Sequence, residues 1–264
     1  MSPIEILAYL GTGVASGLLA GLFGVGGGVV IVPALIWVFA HAGFPPDWIP
    51  HLAVGSSLAS IIGTGSASVY AHHSRGAVRW DLFRQLAPWI VVGAWIGSAV
   101  AGLLDEVWLR RIFGVFLLYV GLRMLFQRAV SGAGDPPGAA KVGLTGTAIG
   151  GLSALVGIGG GTLTVPFLVR SGLDMRRSVA TSSACGLPIA LAGTLGFVIV
   201  GWGREGLPAG STGFVYWPAV GAILLASVPT APLGARLAHS LPLVLLKRIF
   251  AGLVLTVAVK LLWL

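Results

Sequence analysis

Apolar and polar positions alternate along this chain in long blocks. Apolar stretches of about 20 residues, long enough to cross a bilayer as helices, are separated by short polar connectors. The pattern predicts eight segments, all helical, at residues 5–40, 50–72, 84–104, 108–129, 142–169, 176–201, 214–235 and 242–264. Two of the eight are interrupted by glycine. "GLFGVGGGVVIVPAL", Gly21 to Leu35, sets five glycines within eight positions and then a proline, and "ALVGIGGGTLTVPFL", Ala154 to Leu168, does it again. Each glycine in a helix interior costs about 1 kcal/mol against alanine. A chain that only had to cross a bilayer would not carry them here.

The two stretches align without a gap at an offset of 133 residues. Gly24, Gly26, Gly27, Gly28, Val32, Pro33 and Leu35 match Gly157, Gly159, Gly160, Gly161, Val165, Pro166 and Leu168. "AVGSSLA", with Ser56 and Ser57, is followed in the same order by "VATSSAC", with Ser182 and Ser183, and "LRRIF" at Leu109 by "LKRIF" at Leu246. The expectation is an all-α integral membrane protein with one transmembrane domain over residues 1–264. It holds a repeat at about 5–129, a polar linker at about 130–141 and a second repeat at about 142–264.

Charge bears on how the interrupted segments run. If each is one full crossing, the sixteen Lys and Arg divide evenly between the two sides. If each is a hairpin that enters and leaves on one side, all of them except Arg110, Arg111, Arg204 and Lys260 fall together, twelve against four. A membrane protein shows such a bias. Three crossings plus a hairpin per half then invert the second repeat relative to the first, a layout common among secondary transporters. The first arm resists this reading, because Glu5 to Phe23 is nearly long enough for a full crossing. Trp48, Trp80, Trp108, Trp202 and Trp263 sit near segment ends, where indole rings favour the interface.

Irregular backbone at membrane depth survives only when buried in protein or lining a polar cavity. "GVGGG" and "GIGGG" are therefore expected to face each other inside the bundle, near the midplane. A broken helix frees backbone N–H groups at the start of its second arm, and these, with the helix dipole, suit an anion. The candidate substrate-binding residues are Gly24, Gly26, Gly27, Gly28, Gly157, Gly159, Gly160 and Gly161. Ser56, Ser57, Thr181, Ser182 and Ser183 are candidates to add hydroxyls, and Pro33 and Pro166 mark where each helix restarts. The plainer alternatives are close helix packing for the glycines, the expected role of Gly143, Gly146 and Gly150, and bonds to helix carbonyls for the hydroxyls. Thr64, Ser66 and Ser68 carry the same two readings, with the plain one favoured, and Thr162 and Thr164 on the second restart arm either add to the site or only pack. A dinucleotide fingerprint is excluded, since its third glycine falls at Val29 and Thr162.

Composition narrows the function classes. The chain is 56% hydrophobic and 9% charged, where soluble domains carry roughly 25% charged residues. The net charge of +8 resides in connectors, so it speaks for membrane orientation and not for nucleic acid. All eight acidic residues fall in connectors or at segment ends, whereas a cation carrier keeps a carboxylate in mid-membrane. His72 and His73 sit in a basic connector, and His41, His51 and His239 near segment ends, all read as solvated; no metal site and no cofactor is expected. Cys185 is read as a small buried hydrophobe, and no catalytic motif appears, so the chain is not expected to be an enzyme. The N-terminus carries Glu5 and lacks a basic region, so it is expected to stay attached.

The paired glycine motifs, each followed by a Ser-Ser segment, resemble the TauE/SafE family of sulfite exporters over essentially the whole chain. The resemblance implies a multi-pass carrier of the inner, cytoplasmic membrane for sulfite, sulfonates or other sulfur-containing anions, working by alternating access. Membership does not fix the substrate. The second repeat departs from the first in beginning "GGLSALVG", which leaves its glycine core intact. The expected partners are a small anionic substrate and the lipid bilayer, with no nucleic acid, and a homo-oligomer is compatible with the sequence. The rivals are a cation or metal carrier and a non-transporting membrane accessory subunit.

Overall fold

Local signals in the chain set the helix ends. Ser2 caps the first helix by accepting from the Glu5 N–H, the Glu5 carboxylate accepts from the Ser2 hydroxyl, and Pro3 takes the first position. Asp174 caps a later helix by accepting from the Arg177 N–H at 3.0 Å. The computed structural model describes residues 2–24, 26–126, 138–237 and 243–263. Ten helices run in order: α1 (Pro3–Phe23), α2 (Gly28–His41), α3 (Ile49–His73), α4 (Trp80–Leu103), α5 (Glu106–Phe126), α6 (Ala139–Val156), α7 (Gly161–Arg170), α8 (Met175–Val200), α9 (Trp217–Leu237) and α10 (Leu243–Trp263). A single 3-10 turn (Pro46–Trp48) leads into α3, and two-residue strands β1 (Ser211–Thr212) and β2 (Val215–Tyr216) form a hairpin before α9. Residues 130–137 of the expected linker, with Asp135, lie outside the described residues, as does His239; Ala139 to Lys141 belong to the first turn of α6.

Among the described residues six helices, α3 with its leading turn and α1, α4, α6, α8 and α9, are long and apolar enough to cross a membrane. The core is the pair α3 and α8. The apolar window of α3 is 78% buried, against 39% for α1, α4 and α9. Around this pair α4 packs on α8 and α9 on α3, α6 packs on α4 and α1 on α9, α7 lies on α8 and α2 on α3, and α5 pairs with α10. Each contact thus has a counterpart five helices along.

Small residues make the outer contacts close. A Cβ on Gly17 or Gly21 of α1 would overlap the α9 backbone at Ser227 or Ala231. On the other side, a Cβ on Gly150 of α6 would overlap the Ile90 carbonyl of α4, and Gly143 and Gly146 lie against Trp89. Without a hydrophobic drive between helices in lipid, such backbone proximity supplies the association.

The ends of the bundle show how the interrupted segments run. Tyr9, near the start of α1, meets Phe39, near the end of α2, with ring centroids 6.5 Å apart. The two helices therefore double back as a hairpin. Its mouth lies at the end where Phe44 meets Tyr216, Arg204 covers the Trp48 ring and His51 Nε2 donates to the Ala101 and Leu104 carbonyls. Lys141 at the start of α6 and Arg170 at the end of α7 line one cleft, so these helices double back too. At the other end of α3, Arg75 donates to the Ala235 carbonyl, tying that loop to the end of α9.

Two histidines and two prolines differ from expectation. His51 and His72 are buried, 1% and 3% exposed, and not solvated. The His51 ring is turned inward to satisfy two carbonyls at the end of α4 that would otherwise lack donors. Pro33 and Pro166 lie in the interiors of α2 and α7, which begin five residues earlier at Gly28 and Gly161. Helical restart is set by the glycines, and each proline instead removes one interior backbone bond.

Candidate functional site

Each hairpin turns over on left-handed glycines. Gly24 ends α1 at φ +66° and Gly157 ends α6 at φ +72°. Gly27 and Gly160 cap the restarting helices at φ +79° and +76°. A side chain in this region costs roughly 1–2 kcal/mol per residue, which is why the turns are written in glycine. Neither cap has a side chain to take the first N–H groups of its helix; the cap carbonyls accept from Val30 and Leu163, so it is the N–H groups ahead of these that a helix start leaves for another acceptor.

The two turns meet. A Cβ on Gly26 would lie 3.1 Å from the Gly159 Cα, and one on Gly28 would overlap the Gly157 carbonyl oxygen. Beside this contact is a cavity of about 10 Å³, lined by Gly24, Gly26 and Gly159 of the turns, Ile61, Gly65 and Ser68 of α3, and Ser183 and Gly186 of α8. That is room for about one water. The polar side chains facing it are two hydroxyls. Ser68 Oγ stands 3.5 Å from Ser183 Oγ and 3.4 Å from the Ala20 carbonyl, and Ser183 donates to Val179 O at 3.1 Å. Among the described residues no charged side chain lines the cavity.

The predicted residues separate into groups. Gly24, Gly26, Gly159 and Ser183 line the cavity. Gly28 and Gly157 form the backbone contact between the turns, and Ser57 Oγ donates to the Gly157 carbonyl at 2.8 Å, tying α3 to the second turn. Gly27 packs on Ser16, and Gly160 faces Ile189. Gly161 opens α7. Ser56 accepts from the Tyr216 N–H at 2.9 Å and Thr181 from the Arg79 N–H at 3.0 Å. These two hydroxyls fix the segments that lead into α9 and α4. Ser182 is fully buried and its hydroxyl has no partner.

Four lining residues lie outside the candidate set: Ile61, Gly65, Ser68 and Gly186. The signal for Ser68 was its helical spacing from Ile61 and Gly65, which sets all three on one face. Ser153 lies outside it as well. A Cβ on Gly160 would lie 3.5 Å from Ser153 Oγ and 3.4 Å from Thr164 Oγ1, and both hydroxyls are buried without a partner. An unsatisfied buried hydroxyl costs about 1–3 kcal/mol, so packing alone gives no reason for a pair beside the second turn.

Comparison with known proteins agrees with the fold. The chain is 35% identical to a "Probable membrane transporter protein" of Haemophilus influenzae over 97% of both chains. It is 28% identical to one of Xylella fastidiosa, over 100% of this chain and 97% of that one. It is 27% identical to one of Methanocaldococcus jannaschii, covering 76% of this chain and 72% of that one. No solved structure matches. Residues 9–261 match the family described as "Sulfite exporter TauE/SafE". With that match spanning nearly the full length, and with helices able to cross a membrane throughout, the chain is a multi-pass membrane transporter of the TauE/SafE family.

Proposed function

We propose that this transporter moves small oxyanions, sulfite, sulfonates or related sulfur-containing anions, through the point where the glycine turns meet. The observation that carries the reading is the chemistry of the cavity: bare glycine backbone and two serine hydroxyls, with no carboxylate, histidine or other charge among the described residues. A cation there has nothing to neutralise it. An oxyanion can accept from hydroxyls and from N–H groups at the helix starts, which carry partial positive charge. The partnerless hydroxyls of Ser153 and Thr164, beside Gly160, add donors next to the second turn.

The two halves act as inverted repeats in this reading. In its support, the packing of α1 on α9, α9 on α3 and α2 on α3 is matched by that of α6 on α4, α4 on α8 and α7 on α8, and the hairpins enter from different ends. The end with Arg75, Arg79, Arg123, Lys141 and Arg170 is the cytoplasmic one, by the positive-charge bias. A cavity that admits about one water is too small for sulfite, so the turns separate during transport, one repeat rocking against the other. Reconstituted in liposomes, the protein is expected to show saturable flux of sulfite or a small sulfonate under an imposed proton or potassium gradient. No anion flux under any gradient, from folded protein, would remove this reading in favour of a cation carrier or an accessory subunit.

A further inference from the structure

Three cations from three helices converge on a cleft of about 390 Å³ that shares no residue with the cavity between the turns. Arg123 comes from α5, Lys141 from the start of α6 and Arg170 from the end of α7, and Tyr119, Thr145 and Ser171 add hydroxyls. Among the described residues the ion pairs are Arg79 with Asp81 and Arg177 with Asp174, so none of the three is neutralised by a carboxylate there. Arg123 is nonetheless held in place. It donates to Tyr119 Oη at 3.1 Å and to the Thr162 carbonyl at 3.3 Å, and it lies over the Tyr119 ring at 5.8 Å. Those partners orient the guanidinium without cancelling its charge.

Packing does not require these charges. In the aligned positions of the other half, Ala8 stands for Lys141 and Trp37 for Arg170, and only Arg123 keeps a cationic counterpart, Lys260. The second hairpin thus carries a cation on each arm at its mouth, where the aligned positions of the first are apolar. Three like charges around one opening repel, and an anion between them relieves the repulsion. Guanidinium and ammonium groups with hydroxyls at hand are a donor set for a tetrahedral oxyanion. Basic pockets between helix ends on the cytoplasmic side take lipid headgroups by the same chemistry.

We infer that the cleft between α5, α6 and α7 is a second oxyanion site, separate from the glycine turns, holding a phosphate- or sulfate-like group on Arg123, Lys141 and Arg170. The group arrives as the headgroup of an anionic lipid or as a free ion. The test uses the full chain in phosphatidylcholine nanodiscs with radiolabelled sulfate, and native mass spectrometry for retained phosphatidylglycerol. Lys141 and Arg170 are exposed, so Lys141→Gln with Arg170→Gln is expected to keep the wild-type Tm. That double variant is expected to bind one probe about tenfold more weakly or worse. Loss of sulfate binding alone marks a free-ion site, and loss of phosphatidylglycerol alone marks a lipid site. Ser183→Ala, which alters only the inner cavity, is expected to leave whichever binding the double variant loses. Unchanged binding of both probes in the double variant, or equal loss in Ser183→Ala, would overturn the inference.

Discussion

Gly28→Val is expected to abolish transport and to lower Tm by on the order of 10 °C. The added Cβ would overlap the Gly157 carbonyl oxygen and lie 2.9 Å from the Ile158 Cα. Both are backbone atoms of the opposing turn, so no rotamer change relieves the clash, and the turns must part. The displaced Gly157 carbonyl also accepts from Ser57 at 2.8 Å, which couples the damage to α3. The matched control is Gly221→Val, where a Cβ meets nothing within 4 Å; it is expected to leave Tm and flux near wild type. Thermal unfolding in detergent, with flux of the same preparations, checks both. Wild-type flux in Gly28→Val would mean that the approach of the turns is incidental.

The second large effect is a loss of transport without a loss of stability. The Ser68→Ala, Ser183→Ala double variant removes both hydroxyls that face the cavity and adds no volume. Their present bonds are long, at 3.4 and 3.5 Å for Ser68, or local, at 3.1 Å from Ser183 to its own helix. The folded state therefore loses little, within about 1 kcal/mol. A hydrogen bond to a charged ligand is worth about 1.5–3 kcal/mol, so two of them predict a fall in transport efficiency of at least about a hundredfold. Ser56→Ala separates this role from a structural one. Ser56 accepts the Tyr216 N–H, and its loss is expected to lower Tm more than it lowers flux.

The glycine turns were legible in the sequence because two independent signals coincided: an energetic cost that a plain span would not bear, and a repeat at a fixed offset. The helices followed from long apolar blocks, and their ends from caps such as Ser2 and Asp174. The hydroxyls were less legible. Ser56, Ser57 and Ser183 belong to matched motifs, yet the structure gives them different partners, and only Ser183 reaches the cavity. Pairing across the bundle decides that, and pairing is a tertiary property. Ser68 was hidden because a serine within a span ordinarily bonds its own helix, as Ser60 does to the Ser56 carbonyl. Pro33 and Pro166 misled because proline favours a first turn, while here flanking glycines had already restarted each helix. His51 looked like an interfacial residue by position alone, and its burial follows from the carbonyls of α4 that it satisfies.

The central claim is that the transported anion passes between the facing turns. The most direct measurement places a single thiol there, Ser183→Cys in a Cys185→Ser background, and follows its modification by a small charged thiol reagent in proteoliposomes. The account predicts that the transported anion slows modification, with half-protection at the concentration that half-saturates flux. A modification rate indifferent to an anion that the same vesicles transport would contradict it.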